Sequence, residues 1–534
     1  MSYCAQVIHP EGGPKDGNPP ELISSSIESG TTNFKGKEIK LTFDKKVKIS
    51  NLNNINISPS VESKNDLGFE VYIKGKTLTL EFTSPLKDNT TYTINFGNAI
   101  TDTTEFNVAK NIVISFSTGD TIDEMKLSGT IYDYFSKQLI KNAVVSLYRI
   151  HDENNFSLSQ KPNYTVFSDE NGQYSFTNIK KGFYKIIAHQ NNDHSLTLDT
   201  KNNKYGFFPE SINLNKKTEK KYDIAILNSD PTPLNIIKAD SKNQDYQISF
   251  NKEIRFFEIN LDSKIAEACL SLDKKEILIL SKLEVFDPYL EKDLEIFVID
   301  SFGNEATKKT KIALNSFRGP SINSDFKILT DNKKQISKAG FFKIHSTKPI
   351  NVAKIDLTKF SLSINKKEIP ILKENISIKN KNQIIIKYDF SQFIDSKLDN
   401  ISKLIIDEDA ITDTSGEKNK KIGKAFLVDK KNLGSISGSV NDSSKNYKIQ
   451  LINDLGEIVD EVSKNEIENN SYVFNNVLPG KYKVRVLLYD KNDKVWFSGN
   501  INFFSPPDRL IELNKEIEII EAWQSRENNI YFVA

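Results

Sequence analysis

The chain has 534 residues, with Lys+Arg 72 against Asp+Glu 71 and a formal net charge of +1. That length exceeds a single core and suits about four or five domains of about 100–150 residues. The charge balance excludes a dedicated polyanion binder such as a nucleic-acid protein, which needs a basic excess or stripe. Two cysteines cannot make a disulfide framework, and no run of 18 apolar residues exists to cross a bilayer as a helix.

In chain order, residues 1–18 come first and read as a tether. Their Gly and Pro resist ordering and remove backbone donors. Cys4 stands at the head of this tether. Short alternating runs follow: EIKLTFD (38–44), TLTLEF (77–82), TYTINF (91–96) and NIVISFS (111–117). Period-two alternation with β-branched and aromatic residues predicts strands, and Asn, Asp, Gly and Lys between them predict turns. Helical periodicity is nearly absent. The predicted fold class is therefore all-β, a tandem array of about five β-sandwiches.

Two internal repeats sharpen the division. IKLTFDKKV (39–47), YQISFNKEI (246–254) and FKIHSTKPI (342–350) align, each closed by a hydrophobe: Val47, Ile254 and Ile350. Downstream of them stand AITDTTEFN (99–107), VIDSFGNEA (298–306) and AITDTSGEKN (410–419). Asp102, Asp300 and Asp413 open these turns, where an Asp side chain accepts hydrogen bonds from backbone N–H groups just ahead. A turn is the expectation. The alternative is a structural Ca²⁺ site, which wants six to eight oxygens.

The second repeat fills the gaps. LSGTI (127–131), AVVSLY (143–148) and GQYSFTNIKKGFYKIIAH (172–189) match ISGSV (436–440), YKIQL (447–451) and NSYVFNNVLPGKYKVRV (470–486). Tyr174 and Phe176, like Tyr472 and Phe474, lie two apart and share one face of a strand. Asn171–Gly172 predicts a tight turn, and Pro479–Gly480 a type II turn. The expected modules are 19–120, 126–225, 227–318, 319–430 and 434–534.

The first module resembles the bacterial Ig-like domain of S-layer proteins, on LTFDKKV, NISPSVE, LKDNTTYTINFGNAITD and FSTG. The modules at 227–318 and 319–430 are degenerate copies. Those at 126–225 and 434–534 resemble the carboxypeptidase regulatory-like, or transthyretin-like, sandwich, a spacer or interaction module that is not itself catalytic. The whole order, after CAQVIHPEGGPKDGNPP, resembles Ig-like-domain envelope lipoproteins of Bacteroidota. That resemblance implies lipidation of Cys4 and anchoring in the outer membrane, facing the periplasm or the cell surface. It implies a non-enzymatic scaffold, with an outer-membrane protein or complex as partner and a protein-assembly machine as one candidate. No charged and apolar leader precedes Cys4, so an in-frame apolar segment is expected upstream of Met1.

Chemistry-bearing motifs are sparse. The histidines at 9, 151, 189, 194 and 345 have no zinc spacing, although His189 and His194 flank a loop with Asp193 and Asp199. Asp169, Asn171 and Gly172 form a fragment of a Ca²⁺ loop without its bidentate Glu. The leading metal candidate is Asp490, Asn492 and Asp493. No other cofactor is expected. Cys269, in the apolar run IAEACLSL, reads as a buried structural thiol. Trp496 and Trp523, both in the last module, are candidate platforms for a sugar ring, with core packing as the alternative. The expectation is a non-enzymatic scaffold. A glycan-binding lipoprotein and an enzyme with a loop-borne site are the alternatives.

Overall fold

The computed structural model describes residues 15–532 except 62–66, 111, 151–155, 191–197, 217–219, 243–244, 263–265, 282–290, 314–325, 331–333, 380, 396, 415, 430, 442–444, 491 and 514. Among these, every regular element is a β-strand or a single 3₁₀ turn. No helix among them is long and apolar enough to cross a membrane. The chain divides into two compact units, Met1–Asp230 with Asn500–Pro506, and Pro231–Gly499 with Pro507–Ala534.

The first unit holds two sandwiches. In the first, the sheet Leu22–Ser25, Glu38–Phe43, Thr77–Phe82 and Phe69–Lys74 lies over Asn56–Ser58, Thr91–Asn95 and Val113–Ser117. Alternation decides which side chains meet. Ile39, Leu41 and Phe43 point inward from one strand, and Leu78, Leu80 and Phe82 from its neighbour. They close on Tyr92, Ile94 and Phe116 of the facing sheet. Each such side chain stabilises the fold by about 1.5–3 kcal/mol on burial.

The second sandwich sets Gln173–Ile179, Met125–Asp133 and Ile224–Ile226 against Tyr164–Phe167, Val144–Ile150, Phe183–His189, Tyr205–Phe207 and Ile212–Asn213. Tyr174 and Phe176 both face the core. The Tyr174 hydroxyl donates to Tyr222 O at 2.5 Å, and Tyr184 to Lys180 O at 2.6 Å. Gly129 lets these strands close, because a Cβ there would overlap the carbonyl of Tyr222. Segment 500–506 belongs to this unit: Ile501 and Phe504 pack with Tyr148, Ile187 and Tyr205, and the Lys185 ammonium lies 4.4 Å over the Phe504 ring.

Polar groups join the two sandwiches. Asn178 Nδ2 donates to Ser115 Oγ at 2.7 Å, Thr165 N to Ser58 Oγ at 3.1 Å, and Asn56 Nδ2 to Thr165 O. Asn56, Ser58, Ser115 and Thr165 are all buried. A buried polar face needs partners, so this junction has one preferred docking.

The second unit holds three sandwiches. The third of the chain pairs Ile236–Lys242, Asp245–Phe250, Glu276–Ser281 and Ala266–Leu270 with Ile254–Ile259, Glu291–Asp300 and Glu305–Ala313. The fourth packs Ile328–Thr330, Ala339–Ser346, Gln383–Asp389 and Ile376–Lys379 against a five-stranded sheet centred on Ile401–Ile406. The fifth repeats the second strand for strand. Gly434–Ser439 lies between Ser471–Val477 and a parallel partner, Gln524–Ser525, and Asn446–Asn453 and Gly480–Tyr489 form the centre of the other sheet. Tyr472 donates to Asn528 O at 2.6 Å and Tyr482 to Leu478 O at 2.7 Å, as Tyr174 and Tyr184 do in the second.

One turn differs from expectation. Gly480 does not take the left-handed conformation that a type II turn at Pro479–Gly480 would need. The positive φ falls on Asn476, at 59°, and in the second sandwich on the equivalent Asn178, at 58°. Gly480 instead starts the strand that runs to Tyr489. Gly172, with φ 68°, does occupy the left-handed region.

Candidate functional site

The three repeated turn carboxylates are buried: Asp102 is 1 % exposed, Asp300 and Asp413 0 %. Asp102 Oδ1 accepts from the amides of Thr104, Glu105 and Phe106 at 3.1, 2.7 and 2.9 Å, and Oδ2 from Asn107 Nδ2 at 2.9 Å. Burial works upward on this carboxyl, but the donors outweigh it and bring it down to about 2. Asp300 accepts from the amides of Phe302 and Asn304, both at 2.9 Å, and Asp413 from Glu417 N at 2.7 Å. In each turn the carboxylate accepts from backbone N–H groups just ahead, as the sequence pattern of a turn requires.

A lysine completes the motif, and sequence reasoning passed over it. Lys45, Lys252 and Lys348 occupy one column of the first repeat. Lys252 Nζ lies 3.1 Å from Asp300, with the two side chains 7 % and 0 % exposed. Lys348 lies 3.7 Å from Asp413 and 2.7 Å from Glu417. Lys45 turns instead to Asp16, at 2.7 Å. The signal was present as a lysine two residues before each closing hydrophobe.

Asp490, Asn492 and Asp493 lie on a turn beside the strand Gly480–Tyr489. Asp490 pairs with Lys445 at 3.1 Å, and Asp493 N donates to Asp490 O at 3.0 Å. Among the described residues, no group of three or more His, Cys, Asp or Glu is arranged to hold a metal ion. Asp490 and Asp493 bring two carboxylates to this turn, and Lys445 answers one of them. The acidity acts on a neighbour. Burial raises Asp508, helped by the charges of Asp493 and Asp490, to about 6. Its carboxylate accepts from Phe497 N at 2.8 Å.

Trp523 is 54 % exposed, whereas Trp496 is half-buried with a buried indole nitrogen. Trp523 ends a tight turn in which its amide donates to Ile520 O at 3.1 Å, and its own carbonyl accepts from Ser435 N at 3.0 Å. It borders a concavity of about 300 Å³ shared with Glu516, Glu518 and Arg526. Lys481 holds Glu516 at 2.7 Å, and Gln524 Oε1 accepts from Arg526 at 2.6 Å. Trp496 is not part of this concavity. An exposed indole beside carboxylates and a guanidinium can stack on a sugar ring while hydrogen-bonding its hydroxyls.

The remaining candidates are placed as follows. Asp169 accepts from Asn171 N and Gln173 N, each at 2.8 Å, which is a turn. Asp199 accepts from Lys201 N at 2.9 Å and Asn202 Nδ2 at 2.7 Å. His189 is buried, and Cys269 is 2 % exposed in the strand Ala266–Leu270. Cys4, His9, His151, Asp193 and His194 lie outside the described residues.

Comparison with known proteins gives one family match, to the first sandwich. Residues 16–118 match the bacterial Ig-like domain family. No curated protein matches the sequence. Among solved structures, the major pilin subunit BcpA of Bacillus cereus is 11 % identical over 77 % of this chain and 99 % of its own, with a TM-score of 0.14. A mixed-linkage glucan utilization locus protein of Bacteroides ovatus, SGBP-B, is 10 % identical over 68 % of this chain and 90 % of its own, with a TM-score of 0.17. PorU of Porphyromonas gingivalis is 8 % identical over 57 % and 36 %, with a TM-score of 0.23. Similarity at this level carries nothing about fold, ligand or partner.

Proposed function

We propose that this chain is a non-enzymatic envelope lipoprotein, held to the outer membrane through Cys4, whose five sandwiches form a scaffold for an outer-membrane protein or assembly. On this reading the second and fifth sandwiches are transthyretin-like spacers. The observation that carries it is the fixed coupling of neighbouring sandwiches within each unit. Buried Asn56, Ser58 and Thr165 tie the first to the second. In the other unit, Asn382 Nδ2 reaches Leu270 O at 2.8 Å, Ser498 N reaches Phe302 O at 2.9 Å, and Lys379 pairs with Glu466 at 3.4 Å. Modules coupled by specific polar contacts hold their surfaces at set spacings, which a bracing or presenting protein requires and a flexible string of beads does not provide.

The test is fractionation of native membranes. The protein should enter the detergent phase with a diacylated amino-terminal cysteine, and should retain one stoichiometric outer-membrane protein through affinity purification. A chain that stays in the aqueous phase with an unmodified Cys4 refutes the anchor. Purification without any stoichiometric partner refutes the scaffold.

The exposed indole of Trp523 favours a second reading, a glycan-binding lipoprotein that uses the fifth sandwich. Loss of sugar binding in Trp523→Ala, with binding retained in Trp496→Ala, would select it.

A further inference from the structure

The first sandwich carries a larger concavity of about 730 Å³. Ordinary ligand clefts run from about 300 to 1,000 Å³. Its floor is Phe34, which packs 4.6 Å from Phe116 of the core. Lys35 and Lys37 stand at one side, just before the strand Glu38–Phe43. Glu81 comes from Thr77–Phe82, and Glu70 and Tyr72 from the edge strand Phe69–Lys74.

The register of these strands is costly. Glu81 lies directly opposite Glu70 on one side and Glu38 on the other. Like charges placed opposite each other destabilise a sheet. Two of the three are partly answered: Glu38 pairs with Lys40 at 2.7 Å, and Glu70 accepts from the Tyr72 hydroxyl. The Glu81 carboxylate is not, although two ammonium groups share its groove. Among the described residues, Glu81, Lys35 and Lys37 make no ion pair and no side-chain hydrogen bond. Tyr72 is 52 % exposed, and its hydroxyl donates to Glu70.

Chemistry narrows the ligand. An ammonium only donates hydrogen bonds and a carboxylate only accepts them, so a lining that holds both unpaired suits groups that do both at once. A sugar hydroxyl is such a group, and a pyranose also presents a C–H face to an aromatic ring. Lys35 and Lys37 against Glu70, Glu81 and Asp88 leave the groove slightly negative, which disfavours a polyanion. We infer that this groove binds a short neutral oligosaccharide, with Tyr72 as the stacking face, Lys35 and Lys37 as donors, and Glu81 as the principal acceptor. The inference does not depend on the anchor or on Trp523.

The test is calorimetric titration of the full chain with cellohexaose, laminarihexaose, xylohexaose, mannohexaose and a neutral galactan. At least one should bind. Tyr72→Ala should then weaken it about tenfold. Glu81→Gln and the double variant Lys35→Met/Lys37→Met should each weaken it about three- to tenfold. Tyr72→Phe should retain most of the affinity, and Trp523→Ala should leave it unchanged. All these side chains are exposed, so no variant should unfold earlier than the parent, and Glu81→Gln, which relieves the cross-strand repulsion, should unfold slightly later. No binding of any probe at millimolar concentration overturns the inference. So does binding that is indifferent to Tyr72→Ala and Glu81→Gln, binding lost only in Trp523→Ala, or capture of an extended peptide while every sugar fails.

Discussion

Replacing Lys252 by Met removes one partner of the buried pair and keeps the side chain's length. Asp300 stays 0 % exposed and charged, 3.1 Å from where the ammonium was. Breaking a buried pair this way costs about 3–5 kcal/mol, because the remaining charge has no counter-ion. Asp300 keeps the amides of Phe302 and Asn304 and the Asn304 side chain, each at 2.9 Å. Bonds to a charged group are worth about 1.5–3 kcal/mol each, so the cost should fall at the lower end, about 3 kcal/mol. A chain of several domains does not unfold in one step, so the readout should be local. Hydrogen exchange of peptides within 246–300 should lose protection by about a hundredfold, with the first sandwich unchanged. Adding Asp300→Asn should recover most of the loss, since the Asn carbonyl still accepts from both amides and the Asn304 amide can turn to receive its NH₂. Lys348→Met should cost less, because part of its attraction goes to the half-exposed Glu417. Lys45→Met should cost least of the three, since its partner Asp16 is exposed and water screens the pair. Equal losses at the three positions, or no recovery in the double variant, would show that the uncompensated Asp300 charge does not set the cost.

Further outcomes follow from the fifth sandwich. Asp508 binds its proton more tightly in the folded chain than in the unfolded one, so its contribution to stability falls as pH rises from about 4 to 6 and stays reduced above that. Asp508→Asn should flatten that slope and raise stability at pH 7.5 by about 1–2 kcal/mol, allowing for partial exposure; thermal melts at pH 4.5 and 7.5 measure it. Tyr174→Phe and Tyr472→Phe each remove a buried hydroxyl donor from a carbonyl. Each should cost its own sandwich about 1–2 kcal/mol by hydrogen exchange, and matching losses would confirm that the two positions are equivalent. Trp523→Ala should leave melting within about 0.5 kcal/mol of the parent, whereas Trp496→Ala should cost about 2 kcal/mol.

What could be read from sequence was whatever repeats at short range. EIKLTF alternates, and its side chains alternate between core and solvent along Glu38–Phe43. Tyr174 and Phe176, two apart, share the core as period-two spacing requires. Asp102, Asp300 and Asp413 stood out because turn carboxylates recur with their neighbours. Lys252 did not, because a lysine between strands reads as solvated, and only the fold shows the space around it closing. The groove on the first sandwich was harder still. Alternation says that Glu70, Tyr72 and Glu81 point outward, but not that register sets Glu81 between Glu70 and Glu38. Nor does it say that the Phe34–Lys37 approach lies alongside. Asp508 is set by chain return: it stands 15 positions after Asp493 and meets it only through the loop between.

Serial sandwiches face a hazard that their edges address. Any edge strand with free amides and carbonyls can accept another strand, and a chain carrying five similar sandwiches brings many such edges close together. Glu305–Ala313 is a nine-residue edge, long enough to template pairing, and carries Lys308, Lys309 and Lys311. Its partner strand sets Glu295 opposite Lys309 and Asp293 opposite Lys311. Lys309 pairs with Glu295 at 3.7 Å within the sheet, and a second copy of the same edge would meet lysine against lysine. The edge Phe69–Lys74 differs. It carries Glu70 and Tyr72, and the cross-strand carboxylates are repulsive within the sheet itself. Protection of an edge needs charge facing an incoming strand, and Lys74 at the strand's end supplies some. It does not need Glu81 opposite Glu70, which weakens the strand's own pairing. Such an unfavourable register, with no gain in edge protection, accords with the groove proposed on this face, since functional sites are where local rules are broken. That separates the edge of the first sandwich from that of the third.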